Sequence, residues 1–254
     1  MHWSQLRDRG INIIGGAVSG GLDSCTATHW LNAKGFSVHC FTVDLGQPDE
    51  DGLDSIKNRM LACGATGAYI IPGQEALADA GLNVIQAQAR YEGGYWNTTS
   101  IARPVTVAAI LPHLQTKGIE VLFHGATGRG NDQVRFQIAS NILDSSIEVY
   151  APWRDPEFVQ EFPGRREMIK YCQAHELPIL PPDEAKYSTD ANFLGLTHEA
   201  GDLENVKIPA WDFVKPGMGA FPWKAQDKYE VIKVRWDRGV PVELNGESLD
   251  LVSM

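Results

Sequence analysis

Residues 17–25 read Ala17-Val18-Ser19-Gly20-Gly21-Leu22-Asp23-Ser24-Cys25, and their types and spacing suit the binding of a diphosphate. An apolar run precedes them and a stretch with helical spacing follows, so the loop joins a strand to a helix N-terminus. Loop amides and a helix N-terminus both present N–H donors to an anion. Gly20 and Gly21 let the backbone approach the ligand closely. Ser19 and Ser24 add hydroxyl donors, and Asp23 is placed to help hold a magnesium ion on the phosphates. A plain helix cap would explain the serines and the aspartate, but it would not require paired glycines. The sequence has no GxxxxGK[ST] loop and no GxGxxG after a strand, which removes the kinase-like and dinucleotide readings.

The elements that must position this loop follow from the apolar pattern. Residues 11–18, 36–43, 68–71 and 121–124 read as buried strands. Residues 23–34, 49–63 and 104–117 read as helices, the first ending at Gly35. This alternation predicts a parallel sheet with helices on its faces, where ligands bind beyond the carboxyl ends of the strands. From about Tyr150 the texture changes. Pro152, Pro156, Pro163, Pro178, Pro181 and Pro182 mark irregular connections around a helix at 165–174. Strands are expected at 229–236, 240–244 and 248–252, with Asn245-Gly246 as a hairpin turn. The pattern places a domain boundary near residue 165, giving a larger domain at 1–165 that carries the loop and a smaller mixed domain at 166–254.

Composition narrows the partners. The chain has 254 residues, 43% hydrophobic and 21% charged, as in an ordinary soluble globular protein. A formal net charge of −10 gives no long-range attraction to nucleic acid or an anionic membrane. Cys25, Cys40, Cys63 and Cys172 lie far apart without metal-ligand spacing, and reduced thiols of a cytoplasmic protein are expected. The N-terminus MHWSQLRDRG has no apolar signal core, and no segment nears the roughly 18 apolar residues of a membrane span.

SGGLDS matches the SGGxDS signature of the N-type ATP pyrophosphatases, which cleave ATP between its α and β phosphates. Five further segments resemble the argininosuccinate synthase family: FTVDLGQPDE (41–50), YWNTTSIARP (95–104), HGATGRGNDQVRF (124–136), YSTDANFLG (187–195) and THEAGDLE (197–204). The wording of residues 188–200 is similar to the bacterial branch, and the likeness runs from about residue 11 to 246. It implies an α/β fold: a parallel-sheet nucleotide-binding domain of the N-type ATP pyrophosphatase kind (adenine nucleotide alpha hydrolase-like), then a smaller, incomplete α+β synthetase domain.

The resemblance also implies a reaction of arginine biosynthesis. The ureido oxygen of citrulline attacks the α-phosphate of ATP, giving citrullyl-AMP and pyrophosphate, and the amine of L-aspartate then displaces AMP. The implied cofactors are ATP and Mg2+. ATP would be held by residues 17–25 with Val43, Gly125, Thr127, Asp132 and Asp190. L-Aspartate would be held by Thr127, Asn131 and Asp132. Citrulline, or a similar ureido acceptor, would be held by Tyr95, Asn131, Arg135, Ser188, Thr197 and Glu199. Asp23, Asp132 and Arg135 carry the implied catalytic work. Each position has a plainer reading: Arg135 as a surface helix residue, Thr197 with Glu199 and Glu204 as a helix start with solvated acids, Tyr95 as loop packing. His124 and His198 read as structural.

The pattern departs from the family in two ways. Arg129 stands where the family usually has lysine, which keeps the charge. Family members also continue beyond the position of Met254, with a glutamate that contacts citrulline and a long helix that clasps neighbouring subunits. Three expectations follow for the missing part: a fragment, a short form with another acceptor, or one half of a two-chain enzyme. A homo-oligomer or a second chain is the expected macromolecular partner. The alternatives are a catalytically deficient ATP-binding subunit and a tRNA-modifying enzyme with the same loop. The acidic balance and scattered cysteines argue against the latter.

Overall fold

The computed structural model describes residues 1–48, 52–128, 130–179 and 187–254. In chain order the elements are α1 (Trp3–Asp8), β1 (Ile13–Ala17), α2 (Leu22–Ala33), β2 (Ser37–Asp44), α3 (Leu53–Ala62), β3 (Gly67–Pro72), α4 (Gln74–Gln86) and α5 (Ala102–Lys117). They continue with β4 (Val121–His124), α6 (Asp132–Leu143), β5 (Glu148–Tyr150), α7 (Pro156–Glu161), α8 (Arg165–Ala174), β6 (Ser188–Asn192) and β7 (Gly195–Glu199). Last come β8 (Val234–Asp237), β9 (Val240–Leu244) and β10 (Glu247–Ser248).

The chain divides into two compact units. The first comprises Met1–Asp44, Glu50–Pro72 and Arg103–Ala185. Its five strands lie in the order β3-β2-β1-β4-β5, all parallel. The apolar runs read from the sequence are these central strands; Ile14, Val38, Phe41, Val121 and Phe123 are buried in them. Chain order runs from β1 toward β3 on one side and from β4 to β5 on the other. The loops after β1 and β4 therefore leave the carboxyl edge at the point where strand order reverses, the usual ligand crevice of such sheets.

The second unit comprises Leu45–Asp49, Gly73–Ala102 and Lys186–Met254. It holds α4, the antiparallel hairpin β6–β7 and the antiparallel sheet β10-β9-β8. This division differs from a cut at residue 165. Met168 and Cys172 on α8 are buried in the same apolar cluster as Trp30 and Phe158, which keeps α8 with the first unit. Residues 73–102 join the second unit although they precede half the first.

Other differences are local. Only Val234–Asp237 of the strand expected at 229–236 forms, paired to β9, while Tyr229 stays exposed. The strand expected at 248–252 reduces to Glu247–Ser248. Helices α1, α4, α6 and α7, and strands β5, β6 and β7, have no counterpart in the sequence pattern. Residues 49–51 of the expected helix at 49–63, Arg129, Pro181 and Pro182 lie outside the described residues.

Candidate functional site

The loop after β1 is built around Gly20, whose φ of +77° is a left-handed conformation open to glycine. A Cβ there would also approach Ile56 Cγ2 to 2.9 Å. The Gly20 carbonyl accepts a hydrogen bond from Arg59 Nη1 at 2.8 Å. Ala17 and Val18 are buried at the strand end, and the Val18 amide donates to the Phe41 carbonyl of β2 at 3.0 Å. The N-cap of α2 is Gly21, and no side chain caps the helix. Ser24 is not a cap: its hydroxyl accepts from the Ser19 amide at 3.2 Å and so closes the loop. The plain capping reading thus fails. Gly21 offers the first turn of α2 no capping side chain, which leaves this helix N-terminus suited to an anion. Cys25 is buried behind the loop, its thiol against the Gly20 carbonyl at 3.5 Å.

Asp23 sits in the first turn of α2, where Trp153 Nε1 donates to its Oδ1 at 2.9 Å. Burial pushes its carboxyl up, and the Trp153 bond and the Arg165 charge offset part of that rise. A carboxylate so placed, at the N-terminus of α2, is of the donor type a magnesium ion takes. Among the described residues no group of three or more His, Cys, Asp or Glu could hold a metal by itself. Val43, 4% exposed near the end of β2, presents a buried apolar side chain to the first unit.

The loop after β4 meets the first loop. A Cβ added to Gly125 would lie 3.3 Å from Asp23 Cβ and 3.6 Å from the Ser24 amide nitrogen. Thr127 and Asn131 are exposed, and Asn131 occupies the N-cap of α6 without its side chain capping the helix. Two helix N-termini without side-chain caps therefore stand at the switch point of one sheet. Asp132 opens α6. Its Oδ2 accepts from Arg103 Nε at 3.0 Å and Nη2 at 2.7 Å, and its Oδ1 accepts from Arg135 Nη1 at 2.6 Å. Burial pushes the Asp132 carboxyl up, but Arg103 and Arg135 outweigh it and hold the group below the usual carboxylate range.

The second unit gathers the remaining candidates. In the β6–β7 register Ser188 faces Glu199 and Asp190 faces Thr197. Directly opposed and two residues apart, the four share one face of the hairpin. Thr197 and Glu199 are thus strand residues, not a helix start. On the opposite face His198 Nδ1 meets Thr189 Oγ1 at 3.0 Å, in keeping with a structural histidine. Asn192 joins the hairpin to the loop that carries Tyr95: its Nδ2 donates to the Thr98 carbonyl at 3.0 Å. The Tyr95 hydroxyl accepts from the Thr99 amide at 3.0 Å and pairs with the Thr99 hydroxyl.

The first unit holds residues 17–25, Val43, Gly125, Thr127, Asn131, Asp132 and Arg135, and the second holds Tyr95, Ser188, Asp190, Thr197 and Glu199. The sequence pattern does not single out Arg103, Arg59 or Trp153. Arg103 adjoins Pro104 inside a family-like segment, which is the one signal it offers. Arg59 and Trp153 come from a helix and a proline-flanked turn distant in sequence.

Comparison with known proteins identifies relatives. The family model described as the arginosuccinate synthase N-terminal HUP domain matches residues 13–178, and the model of the arginosuccinate synthase C-terminal domain matches residues 187–254. An argininosuccinate synthase from Rhodopirellula baltica is 41% identical over 239 residues, 94% of this chain and 59% of the relative. A solved structure, a predicted subunit of tRNA methyltransferase from Methanocaldococcus jannaschii, is 12% identical, with a TM-score of 0.42 over 64% of this chain and 75% of that one.

Proposed function

The chain belongs to the argininosuccinate synthase family, and we propose that it is an ATP-dependent, AMP- and pyrophosphate-forming carbon–nitrogen ligase, joining L-aspartate to an adenylated ureido carbonyl. One observation carries the reading. Two helix N-termini without side-chain caps, those of α2 and α6, stand at the switch point of the parallel sheet, with Gly125 against Asp23. Arg103 and Arg135 supply local positive charge there in a chain of net charge −10.

In this reading the amides of the first loop and of α2 take the β and γ phosphates, with Ser19 and Ser24 beside them. Asp23 would help hold a magnesium ion on the phosphates, and the ion would supply neutralising charge there. The ureido oxygen of citrulline, or a similar acceptor, forms a bond to the α-phosphorus while the bond from the α-phosphorus to the α–β bridging oxygen breaks, and that oxygen leaves with pyrophosphate. The amine of L-aspartate then forms a bond to the activated carbon, loses a proton, and AMP departs. Thr127 and Asn131 donate to the carboxylates of L-aspartate, Asp132 accepts from its ammonium, and Arg135 takes the acceptor carboxylate. Val43 and Asp190 contact the nucleotide; Tyr95, Ser188, Thr197 and Glu199 hold the acceptor. Rate enhancement comes from placement and charge neutralisation rather than from a strong base.

The proposed setting is the cytoplasm, consistent with four free, buried cysteines. No helix of the described residues is long and apolar enough to cross a membrane. A second copy or a second polypeptide is the proposed partner.

Pyrophosphate release with ATP, L-aspartate and citrulline tests the reading, with Asp23→Ala as the control. The variant should fold, because Asp23 caps no helix, and should release no pyrophosphate above background. Undiminished release by Asp23→Ala would sink the assignment of this loop.

A further inference from the structure

Two buried side chains clamp the turn between β4 and α6 from inside the first unit. His124, 1% exposed at the end of β4, accepts at Nδ1 from the Ala126 amide at 3.2 Å. Gln133, 8% exposed in the first turn of α6, donates from Nε2 to the Thr127 carbonyl at 2.5 Å. One bond holds the amide that enters the Ala126–Thr127 segment and the other the carbonyl that leaves it. The segment cannot turn without breaking at least one of them.

A backbone amide only donates, so Nδ1 is bare and the neutral ring carries its proton on Nε2. Burial keeps the ring neutral, with its pKa pushed down to about 4. Phe136 stacks on the imidazole, ring centroids 4.7 Å apart and planes 14° apart, which fixes its orientation. Arg103, the partner of Asp132, lies over the Phe136 ring at 5.8 Å.

The other polar ends have no such use. His124 Nε2 and Gln133 Oε1 are buried without a hydrogen-bond partner. Were these residues kept only for packing, apolar side chains of similar size would avoid that cost. What each does satisfy is one backbone group of the turn.

We propose that His124 and Gln133 are positioning residues, which together hold the Gly125–Gly128 turn so that Thr127 and the N-terminus of α6 face the ligand. This inference rests on the reading of the turn as a contact for L-aspartate. Its strongest consequence separates affinity from stability. His124→Leu removes an unpartnered buried N–H but leaves the Ala126 amide unpaired, so the melting temperature should change little while L-aspartate binds less well.

The test compares the wild-type chain with His124→Leu, His124→Asn and Gln133→Met. It measures amide hydrogen exchange over residues 124–130, ATP affinity, and L-aspartate affinity in the presence of ATP. His124→Leu should speed exchange at Ala126, and His124→Leu and Gln133→Met should each weaken L-aspartate binding about tenfold, with ATP affinity within about twofold of wild type. His124→Asn, whose Oδ1 lies near the position of Nδ1, should restore slow exchange and most of the affinity. Gln133→Met reads the other bond independently if His124→Leu does not fold. Unchanged exchange, or faster exchange with unchanged L-aspartate affinity, overturns the proposal. Wild-type chain that binds neither ligand overturns the functional reading too, and that failure shows before any variant is made.

Discussion

Asp132 is gripped by two guanidinium groups, and this decides what it can still do. An ionised carboxylate offers about four acceptor positions. Arg103 takes two and Arg135 one, which leaves one for an incoming ammonium. The same pair keeps Asp132 ionised well below neutral pH. Arg135 has further donors to offer, so pairing with Asp132 and binding an acceptor carboxylate are compatible. Asp132→Asn keeps the shape and removes the charge. It should raise the KM for L-aspartate about ten- to a hundredfold, the worth of one charged hydrogen bond at roughly 1.5–3 kcal/mol. Initial rates of pyrophosphate release against each substrate check this. The KM for ATP should rise much less, and an equal rise for both would tell against the role.

At the scale of elements, the sequence is readable where local pattern and tertiary structure agree. β1, β2, β3 and β4 read as apolar runs because a parallel sheet covered on both faces buries most of their residues, fully so in β4. The hairpin β6–β7 gives no such signal: Ser188–Asn192 is polar, and the tip carries Phe193 and Leu194 rather than a turn dipeptide. It forms because other segments complete it. Asn192 Oδ1 accepts from the Leu194 amide at 2.9 Å, its Nδ2 holds the Thr98 carbonyl, and the Phe193 amide donates to the Leu45 carbonyl at 3.0 Å. Helix α6 is obscured for another reason. Val134, Ile138 and Ile142 are exposed, so its apolar residues do not trace the buried face. Helix α5 runs through Pro112, which a local rule would read as a break. The candidate site was legible in its loops, by glycines and by family likeness, while its supports Arg103, Arg59 and Trp153 depend on contacts distant in sequence. Asn192 is 1% exposed, and Asn192→Ala would take their partner from the part-buried Thr98 carbonyl and Leu194 amide. The loss should be about 1–3 kcal/mol, felt within the second unit. Hydrogen exchange should quicken across Ser188–Glu199 while β1, β2 and β4 keep their protection. A hairpin as slow to exchange as wild type would show that Asn192 does not hold it.

For the whole molecule the question is the acceptor. The groups proposed for ATP phosphates and L-aspartate lie in the first unit, within one sheet edge, and are supported there by bonds among their own residues. The groups proposed for the acceptor are spread more widely: Arg135 in the first unit, and Tyr95, Ser188, Thr197 and Glu199 in the second. The chain spans 59% of the length of the Rhodopirellula baltica argininosuccinate synthase, and the family resemblance implies one further acceptor contact, a glutamate, from outside these 254 residues. A charge-assisted contact of that kind is worth roughly 1.5–3 kcal/mol, or about ten- to a hundredfold in affinity. A polypeptide of these 254 residues should therefore bind ATP and L-aspartate nearly as its relatives do, yet need far more citrulline for half-maximal pyrophosphate release. Titrating citrulline at fixed ATP and L-aspartate, at several protein concentrations, measures this. A rate per chain that climbs with protein concentration would point to a site completed by a second copy. A different ureido acid that saturates at low concentration would point to another acceptor. Citrulline saturating in the ordinary micromolar range at every protein concentration would mean that Tyr95, Arg135, Ser188, Thr197 and Glu199 suffice, and that the distant glutamate adds little to acceptor binding.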